Sequence, residues 1–403
     1  GGAAGKMCAA TLAERSGGND EIFLIEKNAI LGNKVIISGG GRCNVTTGIQ
    51  DIVEVLKKYP RGKNLLKYAM YEFPPAAVYE WFEEHGVPLK VEADLRVFPQ
   101  SDDGGDVVRV FEKICKEKNV EVLLKSKIDR VEKIGEKFEL LFNDGKRLEA
   151  DKVVITTGGQ AYKKTGSTGD GYYFAETLGH TITPLAPSLN AFILQEKWVE
   201  RLAGVSFKKA GLKIGEKKAE FEGAFLFTHN GVTGPAVFAL SSIAAFELAD
   251  VGKQVKLAID FMPEMNYQEL GERLRDALMT NPKKTFVNTL DFFVPKSLAQ
   301  VICVEGGIKQ GKINAEVAKA DLNKAVELLK NMIVTIVGRS AGEEFVTAGG
   351  GDLSEMNTNT MESKICPGLY CAGEILDVDG FTGGFNLQAS WATGALAGSS
   401  SSG

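Results

Sequence analysis

The sequence predicts an α/β protein in which the two ends of the chain build one domain and the middle supplies a β-rich and a helical segment. Three stretches predict this. GGAAG at residues 1–5 opens a helix and is followed by a strand that ends in an acid. The apolar run VVI at residues 153–155 leads into Thr-Thr-Gly-Gly. Residues 368–394, GLYCAGEILDVDGFTGGFNLQASWATG, read as a buried strand, a glycine-rich turn and a helix start.

The first stretch is the tail of a GxGxxG pattern, with Gly2, Ala4 and Gly5 at the helix entrance. Residues 7–15 are helical in pattern and residues 21–26, EIFLIE, form a strand closed by Glu26. An acid about 20 residues beyond the glycines is the spacing of a dinucleotide half-site. Pyrophosphate rests on the N–H groups of the helix start, and ribose hydroxyls bond the acid. A chance glycine-rich loop is the alternative. The chain opens without Met and inside this motif, so a preceding strand carrying the first glycine is expected.

GNKVIISGGGRCNVTTG at residues 32–48 places three glycines before Arg42, Cys43 and Asn44. Exposed backbone donors and one fixed cation suit a diphosphate or the polar edge of a flavin. A tight surface turn is the competing explanation. Cys43 has no cysteine at CxxC spacing, so a packed or loop-lining thiol is expected rather than a redox dithiol. Residues 51–86 are largely helical in pattern, broken at the Phe73-Pro74-Pro75 run, and a further helix is predicted over 106–118. Residues 120–125 form a strand. Residues 128–133, 138–142 and 147–150 then suggest an antiparallel meander turning at Asn143-Asp144-Gly145. Helix, strand, meander and the returning strand at residues 153–159 follow the element order of FAD enzymes that bind two dinucleotides.

The texture changes near Leu189. Residues 191–260 alternate short strands with lysine-rich turns, interrupted by THNGVTGP at residues 228–235, and residues 266–335 read as helices, including a run over 321–332. His229 in that loop is a weak catalytic candidate, as is Tyr162; a structural histidine is as good an account. From Phe345 the chain returns to Gly/Thr-rich strand and loop. The serine-rich end, residues 399–403, reads as linker.

Composition bounds the function. Of 403 residues, 44% are hydrophobic and 25% charged, and the net charge is -5, which argues against a nucleic-acid partner. Three histidines argue against a multi-histidine metal site, and no metal is expected. Six cysteines without CxxC spacing fit a reduced, cytoplasmic setting. No apolar run approaches the roughly 20 residues of a membrane span, and no signal peptide is visible.

Taken in order, GGAAG, GNKVIISGGGRCN, THNGVTGP, VTAGGGD, TMES and GLYCAGEILDVDGFTGGFNLQ make the chain resemble the BaiN/YhiN-type NAD(P)/FAD-dependent oxidoreductases, which share the glutathione-reductase-like FAD-binding fold. The likeness covers nearly the whole chain. It implies a split Rossmann-like FAD-binding domain at 1–188 and 344–398, an inserted β-barrel-like domain at 189–262 and a helical insert at 263–343. It also implies bound FAD, with NAD(P)H as a transient electron donor. One family member is associated with reducing a conjugated double bond of a steroid acid.

Matched by motif, Gly2, Ala4, Gly5, Glu26 and Lys27 are expected to hold the ADP half. Lys34, Gly39, Gly40, Arg42, Cys43 and Asn44 would line the cofactor's middle, and Ile128 would meet adenine through its backbone. Thr157, Gly158 and Gly159 are expected near the pyrophosphate. Gly373 and Glu374 would take the ribityl and phosphate region. Asp379 and the backbone of Gly384, Phe385, Asn386 and Leu387 are expected at the flavin end. The implied activity passes hydride from NAD(P)H through flavin to a small organic acceptor, a conjugated alkene being one. A flavin-containing binding or redox-sensing protein with little turnover is the alternative, and an RNA-modifying flavoenzyme a third reading.

Overall fold

A computed structural model of the chain describes residues 1–215, 219–248, 254–340 and 345–402. It divides into two compact units, Gly1–Ser188 with Glu344–Gly403, and Leu189–Glu343.

In the first unit, helix α1 (Ala3–Ser16) begins directly at Gly2 and stops at Gly17, whose φ of 59° closes the helix in the left-handed region. Strand β1 (Phe23–Ile25) follows, then α2 (Asn33–Ile37), which runs into a tight turn at Ser38–Gly41. Strand β2 (Thr46–Thr47) precedes α3 (Ile52–Leu56), α4 (Lys63–Glu72) and α5 (Pro75–Glu84). Pro74 and Pro75 separate α4 from α5, because a proline pushes the residue before it out of helical geometry. Strands β3 (Leu89–Val91) and β4 (Arg96–Pro99) join β2 in the order β2-β4-β3.

Helix α6 (Gly104–Glu117) is capped by the Asp103 carboxylate and buries Val107, Val110, Phe111 and Ile114 on one face. Strand β5 (Glu121–Leu123) returns parallel to β1. The meander forms as β6 (Ile128–Ile134), β7 (Lys137–Phe142) and β8 (Arg147–Ala150), in sequence order. Strand β9 (Val153–Ile155), helix α7 (Asp170–Thr177) and strand β10 (Ala186–Ser188) complete this part.

The second unit is a closed barrel with helices on it. Its strands are β11 (Phe192–Leu194), β12 (Ser206–Ile214), β13 (Ala219–Phe227) and β14 (Gly231–Thr233), then β15 (Val255–Asp260) and β16 (Met332–Arg339), ordered β11-β14-β13-β12-β15-β16. Alternate residues point inward: Leu212 and Ile214, Phe225 and Phe227, Leu257 and Ile259, Val334 and Ile336 are all buried. The helices are α8 (Pro235–Ile243), α9 (Tyr267–Thr280), α10 (Phe286–Leu290), α11 (Lys296–Glu305) and α12 (Lys319–Lys330). They bury Leu240, Leu274, Leu298 and Leu329 in the same core as the barrel strands.

Two expectations from sequence are corrected here. The helical run expected over 321–332 ends at Lys330, and the text that follows, MIVTIVGR, is barrel strand β16. Its run of β-branched residues suits a pleated, half-buried surface better than a helix. The THNGVTGP loop also leads straight into α8, with Pro235 at the first helical turn, where its missing N–H costs nothing.

The chain then returns to the first unit. Strand β17 (Val346–Ala348) pairs antiparallel with β10, and β18 (Leu369–Cys371) lies parallel to β9. Helix α13 (Phe385–Ser401) closes the fold. Residues 399–401 of the serine-rich end are its last turn rather than linker, and Gly403 lies outside the described residues. Ser401 is buried, the Ser400 carbonyl accepts from the Tyr370 hydroxyl at 3.1 Å, and the Ser401 carbonyl accepts from Lys152 at 3.1 Å.

Helices α1 and α13 lie backbone to backbone. A Cβ placed on Gly394 would overlap the Ala4 carbonyl, and one on Gly398 the Cys8 carbonyl. The two glycines and the two carbonyls are each one helical turn apart, so the contact repeats along the pair. Trp391, fully buried on α13, stacks on Phe111 at 5.6 Å and donates its indole N–H to the Val45 carbonyl at 2.9 Å.

Candidate functional site

The site is built in the first unit from the two chain ends. At α1, Gly2 caps the helix without a side-chain bond, and the first turn carries no acid. A Cβ on Gly2 would meet nothing within 4 Å. The N–H groups at that helix start carry no side-chain cap, as an anion-accepting helix N-terminus requires. Gly5 packs on Thr156, and a Cβ on Gly373 would come within 2.9 Å of the Ala4 Cβ. The glycines thus bring the ends of β9 and β18 onto the first turn of α1.

Glu26 stands at the end of β1. One of its carboxylate oxygens accepts both the backbone N–H and the side-chain amide of Asn28, each at 2.8 Å. Lys27 turns instead to the start of α7, donating to Asp170, its first residue, at 2.6 Å and to Thr168 just before it at 2.5 Å. Ser126 donates its N–H to the Glu26 carbonyl at 3.0 Å. That bond ties the segment before β6, whose first residue is Ile128, to the end of β1.

Lys34, on α2, reaches Glu374 at 2.6 Å. The other Glu374 oxygen accepts the Thr347 N–H at 2.9 Å, and a Cβ on Gly159 would lie 3.0 Å from that oxygen. Lys34, Gly159, Thr347 and Glu374 therefore form one polar cluster from four separate parts of the chain. Gly158, at φ 75°, sharpens the turn after Thr157.

The triple-glycine loop adopts left-handed geometry at Gly39, Gly40 and Gly41. Cys43 is fully buried, and burial pushes its thiol up to about 12. That makes it a packed thiol, unreactive as a nucleophile. The Asn44 side-chain oxygen accepts the Val97 N–H at 3.3 Å. The Arg42 guanidinium lies 3.8 Å from the Phe98 ring centre and pairs with Glu92 at 2.7 Å. It also reaches Asp102 at 3.5 Å, so it belongs to a surface ion-pair group.

At the far end, Asp379 is fully buried. It is held by Arg61 at 2.5 Å and by the Ser188 hydroxyl at 2.7 Å. Its carboxylate thus braces the turn before α13. Gly384 begins α13 at φ 89° with no side-chain cap and no acid in the first turn. The Tyr59 hydroxyl donates to the Phe385 carbonyl at 2.6 Å. Asn386 exchanges two 2.8 Å bonds with the Gly380 backbone. Leu387 is half-buried beside them. His229 is exposed on the second unit, between β13 and β14, and Tyr162 packs on Phe345 at 6.0 Å.

These residues fit FAD. Two uncapped helix starts supply backbone donors, the Glu26 carboxylate stands at the end of β1, and glycines leave room at Gly2 and Gly40, where a Cβ would meet nothing within 4 Å. Sequence reasoning missed Asn28, Asp170 and Thr347. Only Asn28, two residues after the acid, carried a local signal, an Asx side chain at a strand end. Among the described residues no group of three or more His, Cys, Asp or Glu could hold a metal ion. None of their helices is long and apolar enough to cross a membrane.

The chain is 32% identical over 402 residues to the 3-dehydro-bile acid delta(4,6)-reductase of Clostridium scindens, covering 99% of this chain and 97% of that protein. It is 30% identical to the ribosomal RNA dihydrouridine synthase of Escherichia coli, covering 97% and 94%. Among solved structures it is similar in fold to the 3-ketosteroid delta1-dehydrogenase of Sterolibacterium denitrificans. There the TM-score is 0.52 and the identity 12%, over 98% of this chain and 97% of that one. The model of the HI0933-like protein Rossmann domain matches residues 1–400. This chain therefore belongs to the HI0933-like family of FAD-binding Rossmann oxidoreductases.

Proposed function

We propose that this protein is a reductase that adds hydrogen across a carbon–carbon double bond conjugated to a carbonyl in a small molecule, with NAD(P)H as electron donor. The observation that carries this reading is the full-length similarity to the bile acid reductase, joined to a site whose glycines and helix starts suit FAD. Bound FAD supplies hydride transfer between the two organic partners. In the net reaction the donor gives up one hydride, and the alkene gains that hydride at one carbon and a proton at the other.

The chain's residues hold and orient. The first turn of α1 would carry the pyrophosphate, with Glu26 on the adenosine ribose. Lys34 and Glu374 would set the polar middle. The open N–H groups at Phe385 and Asn386 would face the ring and favour negative charge there. Tyr59 and the Gly380–Asn386 bonds hold that helix start in place.

A second reading has its own support. The E. coli relative is named for an RNA substrate, and reducing uracil saturates the same kind of conjugated double bond. The net charge of -5 weighs against a polyanionic substrate. A flavin-binding redox sensor with little turnover is the reading that slow chemistry would favour.

One experiment orders these readings. The purified protein's visible spectrum is recorded, and NADH or NADPH is added without oxygen. A flavin band that bleaches within seconds, and is restored by a 3-oxo steroid diene, supports the proposal. Restoration by a uridine-containing RNA and not by the diene moves the protein to the second reading. Bound flavin that neither nucleotide bleaches rejects both.

A further inference from the structure

Asn28 stands outside every motif by which the site was recognised, yet it is tied on three sides. Its backbone N–H and its side-chain amide both donate to one oxygen of Glu26 at 2.8 Å. The same amide donates to the Thr165 carbonyl at 3.0 Å. Its own carbonyl accepts the Lys125 N–H at 2.9 Å. A Cβ on Gly166 would overlap the Asn28 amide, so glycine there lets the turn close onto it.

The result is an anchored two-donor clamp on one side of a carboxylate. The other Glu26 oxygen lies 3.4 Å from the Gly1 nitrogen, at the glycine turn. A free glutamate samples several rotamers and loses that freedom on binding. Here the cost is met during folding, before any ligand arrives.

Resting on the reading of Glu26 as the ribose acid, we propose that Asn28 is the positioning residue that pre-orients it, and so makes the protein prefer the dinucleotide FAD over the mononucleotide FMN. Only FAD has an adenosine ribose to meet the clamped carboxylate. FMN shares the flavin and ribityl phosphate but ends before this part of the site. Asn28 touches no reacting atom and acts through Glu26.

The test is flavin binding to protein stripped of its cofactor, followed by fluorescence, with FAD and FMN compared. Asn28→Ala is expected to weaken FAD about twofold to tenfold, the cost of ordering one long side chain on binding, and to leave FMN unchanged. Thr165→Ala alters the same turn, whose Thr165 hydroxyl bonds the Tyr162 carbonyl at 2.8 Å, but leaves the clamp intact, and is expected to bind FAD normally. In a Glu26→Ala background, Asn28→Ala should cost nothing further.

An equal loss of FAD and FMN would overturn the proposal, since it would mark general damage to the fold. So would an Asn28→Ala effect that persists without Glu26. If Glu26→Ala weakens FAD and Asn28→Ala does not, the positioning role alone is lost. If Glu26→Ala leaves FAD affinity intact, the ribose assignment fails and takes this proposal with it.

Discussion

The Lys34 ammonium lies 2.6 Å from the Glu374 carboxylate, joining residues 340 positions apart in the chain. Glu374 also accepts the Thr347 N–H, so one side chain ties α2, β17 and the end of β18 together. Both members of the pair are only partly exposed, at 29% and 16%. Removing Lys34 would leave a half-buried carboxylate short of its cation, a loss larger than that of a surface pair. Lys34→Ala is expected to weaken FAD by at least about tenfold, or about 1.4 kcal/mol. Glu374→Gln, which keeps an acceptor for Thr347, should lose less. Flavin titration of the two variants checks the order.

The α1–α13 contact predicts a stability effect far larger than the size of the change. Gly394→Ala adds one methyl where the Ala4 carbonyl already stands. The helices must then separate, and overpacking of this kind costs about 1–3 kcal/mol. Because Ala4 sits in the first turn of α1, FAD retention is expected to fall together with the denaturation midpoint. Ala→Gly at exposed Ala320, on α12, serves as a control. Because Ala320 lies in the first turn, the change should cost less than the roughly 1 kcal/mol of an interior position and leave flavin content unchanged.

Lys6 carries a pH-dependent stability. It is fully buried on α1, its ammonium is 5.3 Å from the Phe111 ring centre, and among the described residues it has no hydrogen-bond partner. Burial lowers its pKa to about 8. Below pH 8 both folded and unfolded chains hold the proton, and the folded state bears the full cost of a buried charge. Between about 8 and 10.5 the unfolded chain stays protonated while the folded one does not, so stability rises with pH. Lys6→Met is expected to stabilise the protein by about 3 kcal/mol at pH 7, at about 1.4 kcal/mol per pKa unit. The advantage should narrow by about 1 kcal/mol at pH 9. Urea denaturation at the two pH values measures both, and a gap that widens with pH would refute the account.

Thiol chemistry should be silent in the native protein. All six cysteines are free and buried, and the Cys8, Cys43 and Cys371 thiols are each pushed up to about 12 by burial. A thiol-reactive dye is expected to label the native chain slowly and the denatured chain six times. Cys43→Ala is expected to retain flavin. Rapid labelling of Cys43 would return it to the list of reactive groups.

Much of the site could be read from sequence because its parts are local. Gly2, Gly5, Gly39, Gly40, Gly373 and Gly384 serve backbone geometry, and a glycine cluster at a strand or helix end announces itself. Glu26 is proposed from its distance from Gly5 along the chain. Asn28, Asp170 and Thr347 were missed because each acts through a partner that is remote, or through a side-chain rotamer. Asp379 shows the converse. Its motif was legible, but that its buried carboxylate is held by Arg61 and Ser188 was not.

By itself the sequence determined the α/β class, the FAD-type half-site, the meander and the β-rich middle, because each rests on short-range periodicity or turn chemistry. Tertiary structure alone decided that Met332–Arg339 closes a barrel, that residues 399–401 are the last turn of a packed helix, and that Arg42 pairs with Glu92. Those outcomes depend on which distant strand, carbonyl or carboxylate lies opposite. No local pattern encodes that choice, because the burial and pairing energies that settle it exist only once the chain has folded.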